Sequence, residues 1–156
     1  VTLINGVATG TDYTDRIGRK VCWKSVLVQG ACTPVDTTTN PVLCRVLVVV
    51  DSQPNGSLPA TTAIFNEATA YSPLNLTNRD RFRVIFDKRV TLGVFLNSGA
   101  AGALADKSIA EVRKYKKLNI ETIYSGTANT IASIQTGAMY LVTIGSEAVN
   151  QGGRFV

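Results

Sequence analysis

The chain is 156 residues long, with sixteen Lys plus Arg against eleven Asp plus Glu, no histidine, and a hydrophobic share of 45% against 17% charged. This suffices for one domain with its own core, without help from disulfides or metals, and is too apolar for a disordered tail. A net charge of +5 favours an acidic partner such as nucleic acid or a lipid surface, while the missing histidine removes the commonest general base, the commonest metal ligand and every Ser-His or Cys-His nucleophile.

Val1 to Ile4 is β-prone and ends at Asn5-Gly6, a turn signal. After a polar, turn-rich stretch, Arg19 to Ala31 reads as a long strand, basic at its start (Arg16, Arg19, Lys20, Lys24) and apolar toward its end. Strict alternation places Val21, Trp23, Leu27 and Ala31 on one face and Lys20, Cys22, Lys24, Val26 and Val28 on the other. Trp23 reads as a core or interface anchor rather than a base-stacking platform. Thr33 to Pro41 is a loop by composition, and Val42 to Val50 has the nearly all-aliphatic pattern of a strand covered on both faces. Pro54-Asn55-Gly56 breaks the chain again, and Thr61 to Ala70 places Ile64, Phe65 and Ala68 at helical spacing, predicting one short helix.

The segment Asn78 to Arg89 organises the middle of the chain. Arg81, Arg83, Ile85 and Asp87 alternate with Phe82, Val84, Phe86 and Lys88, giving one charged and one apolar face. The charged face sits against phosphate or simply against water. Val90 to Leu96 alternates as well, and the two segments together predict a β-hairpin with a tight turn. Asn97 to Asp106 is a Gly- and Ala-rich loop. Glu111 to Tyr124 is a basic strand, with Arg113, Lys114, Lys116 and Lys117 around Tyr115, so cations point to both sides. Such a strand either meets an anion or is an edge protected by lysines. Ser125 to Gly137 is polar, Ala138 to Ile144 is a compact apolar strand, Glu147 to Gly153 is a turn, and Arg154-Phe155-Val156 opens a further strand. Seven or eight strands, one short helix and no βαβ alternation predict an all-β sandwich.

Catalytic and metal chemistry find little support. The pairs Asp12/Asp15 and Asp80/Asp87 are interleaved with arginine and read as surface ion pairs, so no catalytic residue is assigned. Asp51, beside the Pro54 turn, is the one loop acid worth testing for a hard cation; no metal or other cofactor is expected. Cys22, Cys32 and Cys44 lack Cys-x-x-Cys spacing and read as small buried hydrophobes in a reducing compartment. No apolar run is long enough for a transmembrane helix and no signal peptide opens the chain, so a soluble protein without a membrane partner is expected. The triplets Asn55-Gly56-Ser57 and Asn75-Leu76-Thr77 fit glycosylation only in a secreted chain.

Several segments, in order and spacing, resemble capsid proteins of small circular single-stranded DNA viruses, closest to the geminivirus-like, replication-protein-encoding groups. They are Arg16-Ile17-Gly18-Arg19-Lys20-Val21-Cys22-Trp23-Lys24-Ser25-Val26, Val48-Val49-Val50-Asp51 before Pro54, Asn78-Arg79-Asp80-Arg81-Phe82-Arg83-Val84, Arg113-Lys114-Tyr115-Lys116-Lys117-Leu118-Asn119 and Ala138-Met139-Tyr140-Leu141. The resemblance implies a single jelly roll of two four-stranded antiparallel sheets that assembles with copies of itself into an icosahedral shell around a single-stranded DNA genome, or RNA in recombinant particles. It places the protein in the virion, and in the host nucleus during assembly. It also implies a basic arm ahead of Val1 and a last strand beginning at Arg154. Clustering nominates Arg16, Arg19, Lys20, Lys24, Arg113, Lys114, Lys116 and Lys117 as the nucleic-acid-binding surface, with Arg79 and Asp80 as a structural ion-pair turn. Two other readings compete: a monomeric β-sandwich module for carbohydrate or protein, and a small non-assembling single-strand-binding protein, which would need more stacking aromatics on its basic face.

Overall fold

The computed structural model describes residues 1–33, 42–93, 109–146 and 154–156. Eight strands form two antiparallel sheets: β1 (Thr2–Leu3), β2 (Lys20–Thr33), β3 (Val42–Asp51), β4 (Phe82–Leu92), β5 (Ala110–Tyr124), β6 (Ile134–Thr136), β7 (Ala138–Gly145) and β8 (Arg154–Phe155). One sheet has the order β1-β7-β3-β4 and the other β6-β5-β2-β8. The pairings are nested along the chain. β1 pairs with β7, inside them β2 with β5, inside those β3 with β4, and innermost an isolated antiparallel bridge joins Phe65 to Leu74.

β3 is buried almost throughout because both of its faces are covered, as its aliphatic run predicts. Cys44, Val46 and Val48 pack between the sheets with Val28 and Cys32 of β2, Phe86 and Leu92 of β4 and Val112 of β5. Leu47 and Val49 face the other way and pack with Tyr140, Val142, Ile64 and Phe65. The segment between β3 and β4 folds over that outer face.

Three expectations are corrected. Phe82 to Leu92 is one continuous strand paired with β3 along its length, with no hairpin turn near Lys88 to Val90, since no Gly, Asn or Pro interrupts it and Val90 and Leu92 continue into the core behind Phe86. The predicted continuation at Val94 to Leu96, like most of the Thr33 to Pro41 loop and the segments Asn97 to Asp106 and Glu147 to Gly153, lies outside the described residues. The helix is a single turn, Thr61–Ile64 (α1), because Phe65 turns extended to bridge Leu74. Its carbonyls are held by side chains further along: Asn75 Nδ2 donates to Thr62 O and Asn78 Nδ2 to Ala63 O. Lastly, β6 forms inside the polar Ser125 to Gly137 stretch and pairs with the end of β5. Gly137 then carries the chain from one sheet to the other at φ +74°, where a Cβ would meet the Glu121 carbonyl oxygen at 2.2 Å.

Candidate nucleic-acid interface

The outer face of the β6-β5-β2-β8 sheet is the exposed side of the two long strands, β2 and β5. A register irregularity between Trp23 and Ser25 switches which β2 residues point inward. Val21 and Trp23 face the core before it, and Val26, Val28 and Cys32 after it. Leu27, expected to share the face of Trp23, is therefore turned out and 53% exposed. Trp23 packs beside Val50, Ile120 and Met139 and donates from Nε1 to Thr122 Oγ1 at 3.0 Å, an anchor rather than a stacking platform.

The register sets Arg113 opposite Gln29, Tyr115 opposite Leu27, and Lys117 opposite Ser25. These six residues are all exposed. Lys20 and Lys24 continue the stripe. The Lys20 Nζ lies 2.6 Å from Glu121 Oε2, and Lys24 Nζ donates to Asn119 Oδ1 at 3.4 Å. Arg19 is exposed and donates through Nε to the Tyr124 carbonyl at 3.2 Å. Lys114 and Lys116 pair with Val28 and Val26, so they leave β5 on the opposite side, with Lys114 over a cleft of about 250 Å³ that includes Phe86 and Asp87. Cations therefore do point to both sides of β5. Among the described residues, Arg113, Lys114, Lys116 and Lys117 make no ion pair.

Arg16 is not on this surface. It is buried, its guanidinium donates to the carbonyls of Val7, Gly18 and Gly126, and it stacks 4.1 Å from the Tyr124 ring centroid. Each of its three side-chain nitrogens donates to a backbone carbonyl, so it is withdrawn from the binding set. Two other arginines are likewise structural, which clustering in sequence could not distinguish. Arg45, 1% exposed, is held by Asp87 at 2.5 Å and the Ser72 carbonyl at 2.5 Å, and lies over the Phe65 ring. Arg81 forms a two-pronged pair with Asp51, at 2.9 and 2.8 Å.

Asp51, the acid singled out for a hard cation, is fully buried at the end of β3, where the Tyr140 hydroxyl and the Gln53 N–H also donate to it. Its oxygens serve that network. Among the described residues no cluster of three or more acidic, Cys or His side chains could hold a metal. Arg79 and Asp80 do pair, at 3.7 Å, but both side chains are largely exposed, so the pair adds little and the strand is anchored by Arg81 instead. Asn5, read as part of a turn, is in fact a buried clamp. Its side chain donates to Thr122 Oγ1 and the Gly137 carbonyl and accepts from the Met139 N–H, and its carbonyl accepts from the Tyr124 hydroxyl.

What this assembly offers chemically is a two-strand face on which Lys24, Arg113 and Lys117, none of them in an ion pair among the described residues, surround one exposed aromatic ring, with Lys20 answered by Glu121. Over 153 residues the chain is 26% identical to the coat protein of Satellite tobacco necrosis virus 2, covering 97% of this chain and 71% of that one. The family model for the geminivirus coat protein/nuclear export factor BR1 family matches residues 1–156, end to end. The chain belongs to that family.

Proposed function

We propose that this chain, a viral coat protein by family, folds as a jelly roll and closes with copies of itself into an icosahedral shell around single-stranded DNA. The whole-chain family match carries the capsid role. Three nested antiparallel pairings divided between two sheets, with an isolated bridge innermost, support the jelly roll, which is a long hairpin wound into a sandwich. Its role is structural rather than catalytic. Arg19, Lys20, Lys24, Arg113 and Lys117 neutralise phosphate from the β2–β5 face, with Lys114 and Lys116 contributing from its flank, through sequence-tolerant, salt-sensitive contacts. Residues 1–156 form the shell domain; the protein resides in the virion and passes through the host nucleus during assembly.

The edge of β2 away from β5 is only partly covered among the described residues. β8 pairs with β2 only at Cys32 and Thr33, and backbone bonds between Ala31 and Val156 continue the pairing by one residue. No described strand pairs with the same edge of β2 from Trp23 to Gly30. A groove of about 400 Å³ lined by Ile4, Trp23, Val26, Val28, Met139 and Leu141 runs along that edge.

The test is the mass of purified particles by light scattering and negative-stain imaging, with the nuclease-protected nucleic acid extracted from the same fraction. Uniform megadalton shells with protected single-stranded DNA are expected. Empty shells would move genome binding to the arm, and a stable monomer that ignores nucleic acid would overturn the reading in favour of a β-sandwich binding module. A monomer that binds single strands without assembling would point to the small single-strand-binding protein.

A further inference from the structure

We propose that Tyr115, with Leu27 beside it, is a stacking platform that takes an unpaired base, so that the β2–β5 face selects single-stranded over duplex nucleic acid. The inference rests on that face being the nucleic-acid surface.

An outward position near the middle of a strand is ordinarily polar, yet here two large apolar side chains stand directly opposite each other across β2 and β5, 56% and 53% exposed. They sit inside a charged surface. Arg113 and Lys117 lie two residues to either side of Tyr115, hence on the same face, roughly 6.6–6.8 Å away along the strand. Gln29 and Ser25, their cross-strand partners, bring no opposing charge.

A strand of nucleic acid laid along β5 would place phosphates at the two cations and a base over the ring between them. Only an unpaired base presents its flat face to such a ring, because in a duplex both faces are covered by neighbouring base pairs. Leu27 widens the apolar footprint and fixes one side of the ring without competing for hydrogen bonds. Local charge complementarity argues for nucleic acid as occupant, since Arg113 and Lys117 flank the ring and make no ion pair among the described residues, although Glu111 lies on the same face beyond Arg113.

The experiment is fluorescence anisotropy on the full chain with a labelled fifteen-nucleotide thymidine strand and a duplex of equal length, and competition by inorganic polyphosphate, which has charge but no bases. Tyr115→Ala is expected to weaken single-strand binding about tenfold, to leave polyphosphate competition unchanged, and to remove the preference over duplex; Tyr115→Phe restores wild-type binding. The double variant Arg113→Ala, Lys117→Ala is expected to weaken both ligands. Unchanged single-strand binding in Tyr115→Ala, with the double variant still impaired, overturns the platform and leaves the face standing. If the double variant also binds normally, the face itself is wrong. Tyr115→Ala that binds single strands normally but fails to assemble would make the patch a contact between subunits, and would equally overturn the platform.

Discussion

Replacing Arg81 by Met tests whether the pair with Asp51 holds the second half of the first sheet in place. The substitution keeps most of the aliphatic stem and removes both donors from a carboxylate with no solvent exposure. Stranding a buried charge costs about 3–5 kcal/mol, and the lower end applies here because the Tyr140 hydroxyl and Gln53 N–H still bond Asp51. With a urea dependence of about 2 kcal/mol per M, a loss of about 3 kcal/mol lowers the unfolding midpoint by about 1.5 M. Adding Asp51→Asn removes the stranded charge, and the double variant should recover at least half of the loss, a coupling that a double-mutant cycle measures directly. Circular dichroism during urea titration at pH 7 follows all four proteins. A single variant within about 0.5 M of wild type, or a double variant no better than the single one, would refute the reasoning.

Four smaller experiments probe other parts of the molecule. Burial raises the Tyr140 hydroxyl above its ordinary 10.0, reinforced by the charge of Asp51, and burial likewise raises Tyr124 against an opposing pull from Arg16. The unfolded chain therefore loses these protons first, so stability should be flat in this respect below pH 10 and fall as pH rises above it; Tyr140→Phe should make that fall shallower in urea titrations between pH 9 and 11. Asn5→Ala leaves the buried Met139 N–H without its acceptor, while Thr122 Oγ1 keeps Trp23 Nε1 and the Gly137 carbonyl, and a loss of about 1–3 kcal/mol in thermal or urea unfolding is expected. Of the three thiols, only Cys22 is exposed, so a thiol reagent should label one site in the native protein and three after denaturation. Alanine at Lys20, Lys24, Arg113 and Lys117 together should flatten the log–log salt dependence of single-strand binding by about 3, at about 0.7 per phosphate contact.

Where the strands run was legible because the signals are local. Aliphatic runs and alternation located β2, β3, β5 and β7 to within two residues, and Asn, Pro and Gly marked most of their ends. Features that depend on a partner strand were not. The register shift in β2 reverses the facing of everything after Trp23, and nothing in Trp23-Lys24-Ser25 announces it; it is fixed by how β5 pairs. A second shift between Val48 and Val49 does the same for β4, putting Phe82 and Val84 on one side of the sheet and Phe86 on the other, although all three share one parity in sequence. The single-turn helix fails to extend for the same reason: Phe65 gains a bridge to Leu74 that helical periodicity cannot anticipate. Of the eight nominated cations, the four on β5 do point to both sides of the strand, as alternation predicts, and so do not share one surface, while Arg16 is taken up by the carbonyls of Val7, Gly18 and Gly126.

That loss points to a division between the two basic residue types. Arg16, Arg45 and Arg81 are built into the fold, each filling a site where a planar group meets carbonyls or a carboxylate and an aromatic ring. Every described lysine is exposed. The chemistry accounts for this: guanidinium is delocalised, weakly hydrated and able to satisfy several acceptors in one plane, whereas an ammonium group holds its water tightly and is costly to bury. A net charge of +5 therefore understates how unevenly the positive charge is distributed, since the interior arginines are answered by fixed carbonyls or by Asp51 and Asp87, and the cations without an ion pair among the described residues sit on exposed side chains, chiefly of β2, β4 and β5. One such face carries too few cations for tight binding by a single chain. In the proposed shell, the same weak contacts repeated across the copies would act together on one genome, and linked binding would multiply them without any new contact.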